Sequence, residues 1–208
     1  GTVYKADLNS EWYKYEDKKW ANAIVLKDSV DIIGEDNISG AIINNNDIYF
    51  DGVDDYLYVG LERKNFVSNI SISVNFKFNT FNTSDVNGVI GNWEQSGGGI
   101  YYSKGKLIGC VYIVELETYV NTSVSFNDLL NYHVVTMTYD GSVLKLFLDG
   151  NLVDTEEAVG TIKSTAAPFL LGANPNQDGN GGFYLIEEAN VNIREYAIYN
   201  TTLSDSEI

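Results

Sequence analysis

The stretch NISISVNFKFNTF limits the fold more than any other part of the chain. Ile70, Ile72, Val74, Phe76 and Phe78 alternate with Ser71, Ser73, Asn75, Lys77 and Asn79, and a period of two held over nine residues is that of a strand with one face buried. Further strand signals follow, separated by Gly, Asn and Asp clusters. In LIGCVYIVELET, alternation puts Ile108, Cys110, Tyr112, Val114 and Leu116 on one face and Glu115 with Glu117 on the other. HVVTMTYDG and VLKLFLDGNLVDT come next, and Asp149-Gly150 between two apolar runs predicts a tight hairpin, because both turn positions favour positive φ. PFLLGAN and VNIREYAIYN complete the set, with Pro168 expected at the start of a strand and Pro175 in a loop. Helix signals are confined to NDLLNY and LSDSEI, where Ser204 with Glu207 three residues on predicts a single capped turn. The fold class this predicts is all-β: a two-sheet antiparallel β-sandwich of jelly-roll type.

Composition supports a folded globular domain and narrows its partners. Hydrophobic residues make up 44% and charged residues 20% of 208, a globular balance. With 13 Lys+Arg against 29 Asp+Glu the formal charge is −16, which repels phosphate backbones and anionic lipid and so argues against nucleic acid or membrane insertion. The same field admits cations and neutral ligands such as glycans. The single cysteine, Cys110, rules out an internal disulfide or thiolate cluster and reads as a small buried hydrophobe. No apolar run reaches transmembrane length, and the opening GTVYKADL does not read as a signal peptide, so the expectation is a mature or trimmed chain. Residues 1–35, with Trp12 and Trp20 among charges, are expected either to pack on the sandwich or to be the remnant of an upstream module. Residues 36–208 are expected to form the sandwich itself.

Taken in order, YFDGVDDYLYV, HVVTMTYDG, LKLFLDGNLV, LLGAN and IREYAIYNTTLSDSEI resemble the laminin G-like, concanavalin A-like lectin domains. The resemblance runs from Ile43 to Ile208. Ala197 stands where the closing strand usually carries Arg, and a D-S-S-G-N-G stretch usual ahead of the first block is missing. The segment EWYKYEDKKWANAIVL is similar to pieces found ahead of such domains in surface and phage-tail proteins of Gram-positive bacteria. The resemblance implies an extracellular, cell-surface or particle-borne module that binds a surface glycan or a cell-surface protein. Its fold also carries glucanases whose carboxylates lie in an E-x-D-x-x-E run, where strand alternation aims acid and nucleophile at one sugar bond. Glu115 and Glu117 are the pair nearest that pattern, but Tyr119 and Val120 follow where the third acid is needed. The expectation is therefore a non-catalytic domain, with His133, the only histidine, as a packed residue.

Two candidate sites emerge. GNWEQSGGGIYY and GANPNQDGNGG are polar, Gly-rich connections that offer Asn92, Trp93, Gln95, Tyr101, Tyr102, Asn174, Asn176 and Gln177. An aromatic platform beside amides is the chemistry that holds a pyranose. The other reading has Trp93 and one Tyr plugging the end of the core. In FDGVDD, Asp51, Asp54 and Asp55 supply the oxygens that calcium takes, with Asp178, or Glu187 and Glu188, as a second source. Family members frequently hold a structural calcium near the sandwich edge. The alternative is the polar tip of a hairpin, where Asp bonds its own backbone.

Overall fold

A computed structural model describes residues 3–7, 13–15, 23–24, 38–43, 47–59, 68–81, 86–94, 96–164, 167–177 and 183–208. Trp12, Trp20, Gln95 and Asp178 lie outside the described residues, as does the side chain of Gln177. The strands are β1 (Val3–Asp7), β2 (Tyr13–Tyr15), β3 (Ala23–Ile24), β4 (Ile38–Ser39), β5 (Ile42–Ile43), β6 (Ile48–Asp51), β7 (Tyr56–Tyr58), β8 (Ile70–Phe78), β9 (Val86–Gly91) and β10 (Gly98–Ser103). They continue as β11 (Lys106–Ile113), β12 (Thr118–Ser125), β13 (His133–Tyr139), β14 (Val143–Leu148), β15 (Asn151–Glu157), β16 (Leu170–Leu171), β17 (Asn174–Gln177), β18 (Phe183–Ile186) and β19 (Asn190–Tyr199). No α-helix occurs among the described residues.

One sheet has ten strands in the order β15-β14-β13-β8-β19-β1-β2, with β3 and β6 also on β19 and β5 on β6; the other has seven, in the order β12-β11-β10-β9-β16-β7-β4. β17 and β18 form a separate two-stranded ribbon. Every strand pairing among the described residues is antiparallel, as in an all-β sandwich. β1 and β3, from the N-terminal segment, both hydrogen-bond to β19.

The core lies between the sheets. On β8, Ile70, Ile72, Val74, Phe76 and Phe78 are all buried, as their spacing predicts. Tyr102 from β10 meets Phe78 at 5.4 Å and stacks on Phe81 at 4.3 Å, while Phe126 closes on Phe76 at 5.8 Å. Ring contacts of this kind add to the burial of apolar area that drives the sheets together. Asp149 and Gly150 take φ 50° and 77°, and Leu148 pairs with Asn151 across the predicted hairpin.

Four expectations need correction. β11 ends at Ile113, and Val114 to Glu117 form a turn in which Glu117 has φ 51°. Leu107, Val111 and Ile113 face the core, whereas Val114 and Leu116 are exposed; both faces of this strand are apolar, so alternation alone could not choose the phase. FDGVDD is not a hairpin tip either: β6 belongs to the ten-stranded sheet and β7 to the seven-stranded one, so the acids occupy a corner between sheets. Gly52, at φ 80°, makes that corner, and a Cβ there would meet the Asn190 nitrogen at 2.8 Å. Pro175 lies in β17 rather than a loop, in a two-stranded ribbon where a missing N–H is tolerated. NDLLNY is a bend in which Asp128 Oδ1 accepts the N–H of Leu130 and of Asn131.

Candidate functional site

The residues expected to form an aromatic platform are mostly turned inward. Gly91 and Gly99 pair across β9 and β10, and a Cβ on either would come within 2.6 Å of the Trp93 ring. The two glycines thus leave a floor on which the indole lies. Its Nε1–H donates to Glu187 Oε2 at 2.9 Å, and Asn174 Nδ2 donates to the same oxygen at 3.0 Å. The Trp93 backbone N–H donates to Asn174 Oδ1 at 3.1 Å, and Asn92 Nδ2 donates to the Ala167 carbonyl at 3.3 Å. Tyr101 stacks on Trp93 with centroids 5.2 Å apart. Trp93 is 6% exposed and Asn174 0%.

Trp93 and Asn174 therefore bind the β17–β18 ribbon to the seven-stranded sheet, Asn92 ties the end of β9 to Ala167 and Gly98, and Tyr102 is a core residue. Of the candidates whose side chains are described, only Tyr101 and Asn176 keep partial exposure. Burial holds the Glu187 carboxyl above the usual range, against the pull of its two hydrogen bonds and with Glu94 and Glu188 adding to the rise. The Cys110 thiol beneath is pushed up strongly by burial, which leaves it unreactive.

The acidic corner does gather its side chains. Asp51, Asp54 and Asp55 each offer an oxygen within 4.8 Å of the others. Asp55 Oδ2 accepts the Asp51 N–H at 2.7 Å, and Asp51 Oδ1 accepts the Val53 N–H at 2.8 Å. Asp55 is 4% exposed, and burial, with the charges of Asp51 and Asp54, raises its pKa. A hard cation would relieve that repulsion, so the donor set suits calcium. Among the described residues, Glu187 and Glu188 do not belong to this group.

The glucanase-like pair is absent as a pair. Glu115 is held by Thr161, whose N–H and Oγ1 donate to its carboxylate at 2.6 and 2.8 Å, and these bonds lower its pKa. His133 sits between Asp149, at 2.7 Å from Nδ1, and Asp128, at 3.3 Å from Nε2, with the Phe126 ring edge-on. Burial opposes its charge, but the two carboxylates outweigh it and the His133 pKa is raised.

A third cluster, on the outer face of the ten-stranded sheet, was not legible as a site. Asn192 on β19 pairs with Lys77 on β8, and the register slips between Ile193 and Glu195, leaving Arg194 as an extra residue. Such bulges re-aim side chains. The guanidinium carbon of Arg194 lies 3.4 Å from the centroid of Tyr132, and Lys77 Nζ lies 5.5 Å from the same ring. The Tyr132 hydroxyl donates to Asp47 Oδ2, and Asn192 Nδ2 donates to Asp47 Oδ1 at 2.9 Å. Asn79 Nδ2 bridges Asn192 Oδ1 and Asn190 Oδ1 at 2.7 and 3.1 Å. Burial and the bond to Asp47 push the Tyr132 phenol up to about 12, so it stays neutral. The sequence does carry a trace of the bulge: the apolar positions Val191, Ile193, Tyr196 and Ile198 break period two at Arg194-Glu195.

With fold and clusters in place, the comparisons give the family. The profile of the concanavalin A-like lectin/glucanases superfamily matches residues 51–208, and the chain belongs to that family, as a laminin G-like domain. No curated protein sequence matches it. Among solved structures, the receptor-binding domain of botulinum neurotoxin C/D mosaic serotype is similar at TM-score 0.65 and 17% identity, over 99% of this chain and 49% of that one. The binding domain of Paraclostridial Mosquitocidal Protein 1 is similar at TM-score 0.65 and 14% identity, over 99% and 50%. The binding domain of botulinum neurotoxin DC, solved in complex with SialylT, is similar at TM-score 0.65 and 15% identity, over 99% and 49%. The chain thus spans about half the length of these structures, and what they share with it is the fold.

Proposed function

We propose that this domain is a non-catalytic carbohydrate-recognition or adhesion module that works outside the cell, on a bacterial surface protein or a phage or tail-like particle. The observation that carries the reading is the amide row Asn79, Asn190 and Asn192 beside Tyr132 on one face of a rigid sheet. Amides bond sugar hydroxyls in both senses, and the sheet fixes their spacing before a ligand arrives. Membership of a lectin-containing family and similarity to domains named for binding support the reading. No helix among the described residues is long and apolar enough to cross a membrane.

Calcium is part of the proposal. Asp51, Asp54 and Asp55 would hold it, and it would pin the corner between β6 and β7 by neutralising their mutual repulsion. The Glu115–Thr161 bonds, which occupy one acid of the Glu115 and Glu117 pair, support the non-catalytic part of this reading. Incubation with a β-glucan should release no reducing ends; turnover lost in Glu115→Gln would sink this part.

The experiment for the whole reading is a glycan array run with and without calcium, on which at least one glycan class is bound. A second reading, a protein–protein module without sugar binding, draws on exposed Val114, Leu116 and Val159, at 46%, 48% and 64%. An array with no bound glycan would favour it.

A further inference from the structure

We infer that the outer face of the ten-stranded sheet selects a carboxylate-bearing saccharide, with Arg194 and Lys77 taking the carboxylate and the neighbouring asparagines the hydroxyls. The inference rests on the glycan-binding reading and adds the ligand's charge to it. The starting point is an imbalance. The chain carries only 13 basic residues against 29 acidic ones, yet two of the basic residues converge on a single ring. Among the described residues, no carboxylate lies within ion-pair distance of Lys77 or of Arg194. Asp47, the acid nearest in this cluster, is turned onto the Tyr132 hydroxyl and Asn192, and Glu195 lies one residue beyond Arg194, opposite Asn75.

Arg194 is also held ready. Stacking on Tyr132 fixes its plane, so little side-chain freedom remains to be lost on binding. Its Nε is buried with no hydrogen-bond partner, and the Oδ1 of Asn75 is buried without one as well. A guanidinium fixed at a bulge, with no carboxylate in ion-pair range among the described residues, matches the planar, two-oxygen geometry of a carboxylate. Lys77 on β8, paired with Asn192 two residues before Arg194, supplies a second positive charge that a neutral sugar does not need. Within the amide row, Asn79 spends its Nδ2 and Asn190 its Oδ1. Among the described residues, the Asn79 Oδ1 acceptor and the Asn190 Nδ2 donor have no side-chain partner and remain to meet hydroxyls. Sugar hydroxyls, which donate and accept at one atom, suit a row that offers both an acceptor and a donor, and an acidic peptide is the competing occupant that the polyglutamate arm of the test separates.

The test is calorimetric titration of the intact chain with sialyllactose against lactose and with trigalacturonate against trigalactose. At least one acidic sugar should bind about tenfold or more tightly than its neutral counterpart, as expected for hydrogen bonds to charged groups. Raising the salt concentration should weaken the acidic sugar and leave the neutral one unchanged. Arg194→Gln and Lys77→Gln should each remove most of the preference, and if Arg194→Gln fails to fold, Lys77→Gln decides. Equal binding of acidic and neutral sugars would overturn the inference while leaving the glycan-binding reading intact. Binding of polyglutamate with no saccharide bound would overturn both.

Discussion

At Trp93 the polar atoms close on one another, whereas beside Arg194 two buried polar atoms, its own Nε and Asn75 Oδ1, meet no partner. In the first region the indole N–H, both ends of Asn174 and the Glu187 carboxylate close on one another beneath the β17–β18 ribbon. In the second, a guanidinium and an ammonium face a neutral ring with no carboxylate in ion-pair range among the described residues. A satisfied buried network stabilises and specifies a fold, while unspent donors on a sheet face are available for binding. The residue types alone suggest the opposite assignment, because Trp, Tyr and Asn beside a Gly-rich loop look like a sugar platform. Here the glycines serve the tryptophan: Gly91 and Gly99 are bare so that the ring can lie down.

The largest effect expected of this contrast is on stability. Trp93→Ala should cost about 3–5 kcal/mol in urea unfolding, and glycan affinity in the fraction that stays folded should be unchanged. A folded, stable variant that loses glycan binding would break the contrast at its root.

The acidic corner tests whether a third region shares the unsatisfied character. Calcium at about a hundredfold over its Kd should stabilise the domain by about 2.7 kcal/mol, and EDTA should reverse the gain. Asp54→Asn should abolish the shift, since Asp54 is the exposed member of the triad. A melting temperature unmoved by either reagent would remove the metal from the account.

Glu187 sharpens the satisfied side of the comparison. Glu187→Ala leaves the Trp93 N–H buried and unmatched, which should cost about 1–3 kcal/mol. Glu187→Gln keeps an acceptor and should cost less. Because the folded-state pKa of Glu187 is raised, the native state holds a proton that the unfolded chain has released. Stability should therefore fall as pH rises from 4.5 through the folded value, and the Gln variant should lack that fall. An unchanged pH profile in Glu187→Gln would mean that the carboxyl titrates as it does in water.

The smallest effect concerns His133, which joins Asp128 to the Asp149 turn. Its folded pKa is raised, so its contribution is fully present below pH 6.5 and is lost as pH rises through the folded value. Asp149→Asn keeps a side chain suited to φ 50° and an acceptor for the Val134 N–H, which now bonds Asp149 Oδ1 at 2.9 Å. It should cost under about 1 kcal/mol, the range for exposed pairs, measured below pH 6.5, and nothing at alkaline pH. A cost independent of pH would assign the loss to the turn alone.

Much of the fold was legible because its signals are local. The alternation in β8 and the Asp149-Gly150 turn each depend on a few adjacent residues. The phase of β11 was not legible, since Leu107 and Ile108 are equally apolar and only the packing of the opposite sheet chooses between them. Nor was the candidate site, which joins Lys77, Tyr132 and Arg194 from three distant parts of the chain. The break in alternation at Arg194-Glu195 was its single local trace. Trp93 was legible as a residue of consequence but not as a buried one, because its burial depends on Glu187 and Asn174 arriving from a ribbon more than eighty residues on.

The proposed ligand face is that of Arg194 and not the Trp93 network. Its most direct test is a titration of the isotope-labelled chain with the tightest-bound glycan, followed by backbone and side-chain amide shifts in NMR. Saturable shifts are expected at Asn79, Asn190 and Asn192 and at the guanidinium of Arg194, with Asn92, Gly97 and the Trp93 indole unmoved. Shifts confined to the Trp93 indole, Gly97 and Asn176, with Asn192 and Arg194 still, would contradict it.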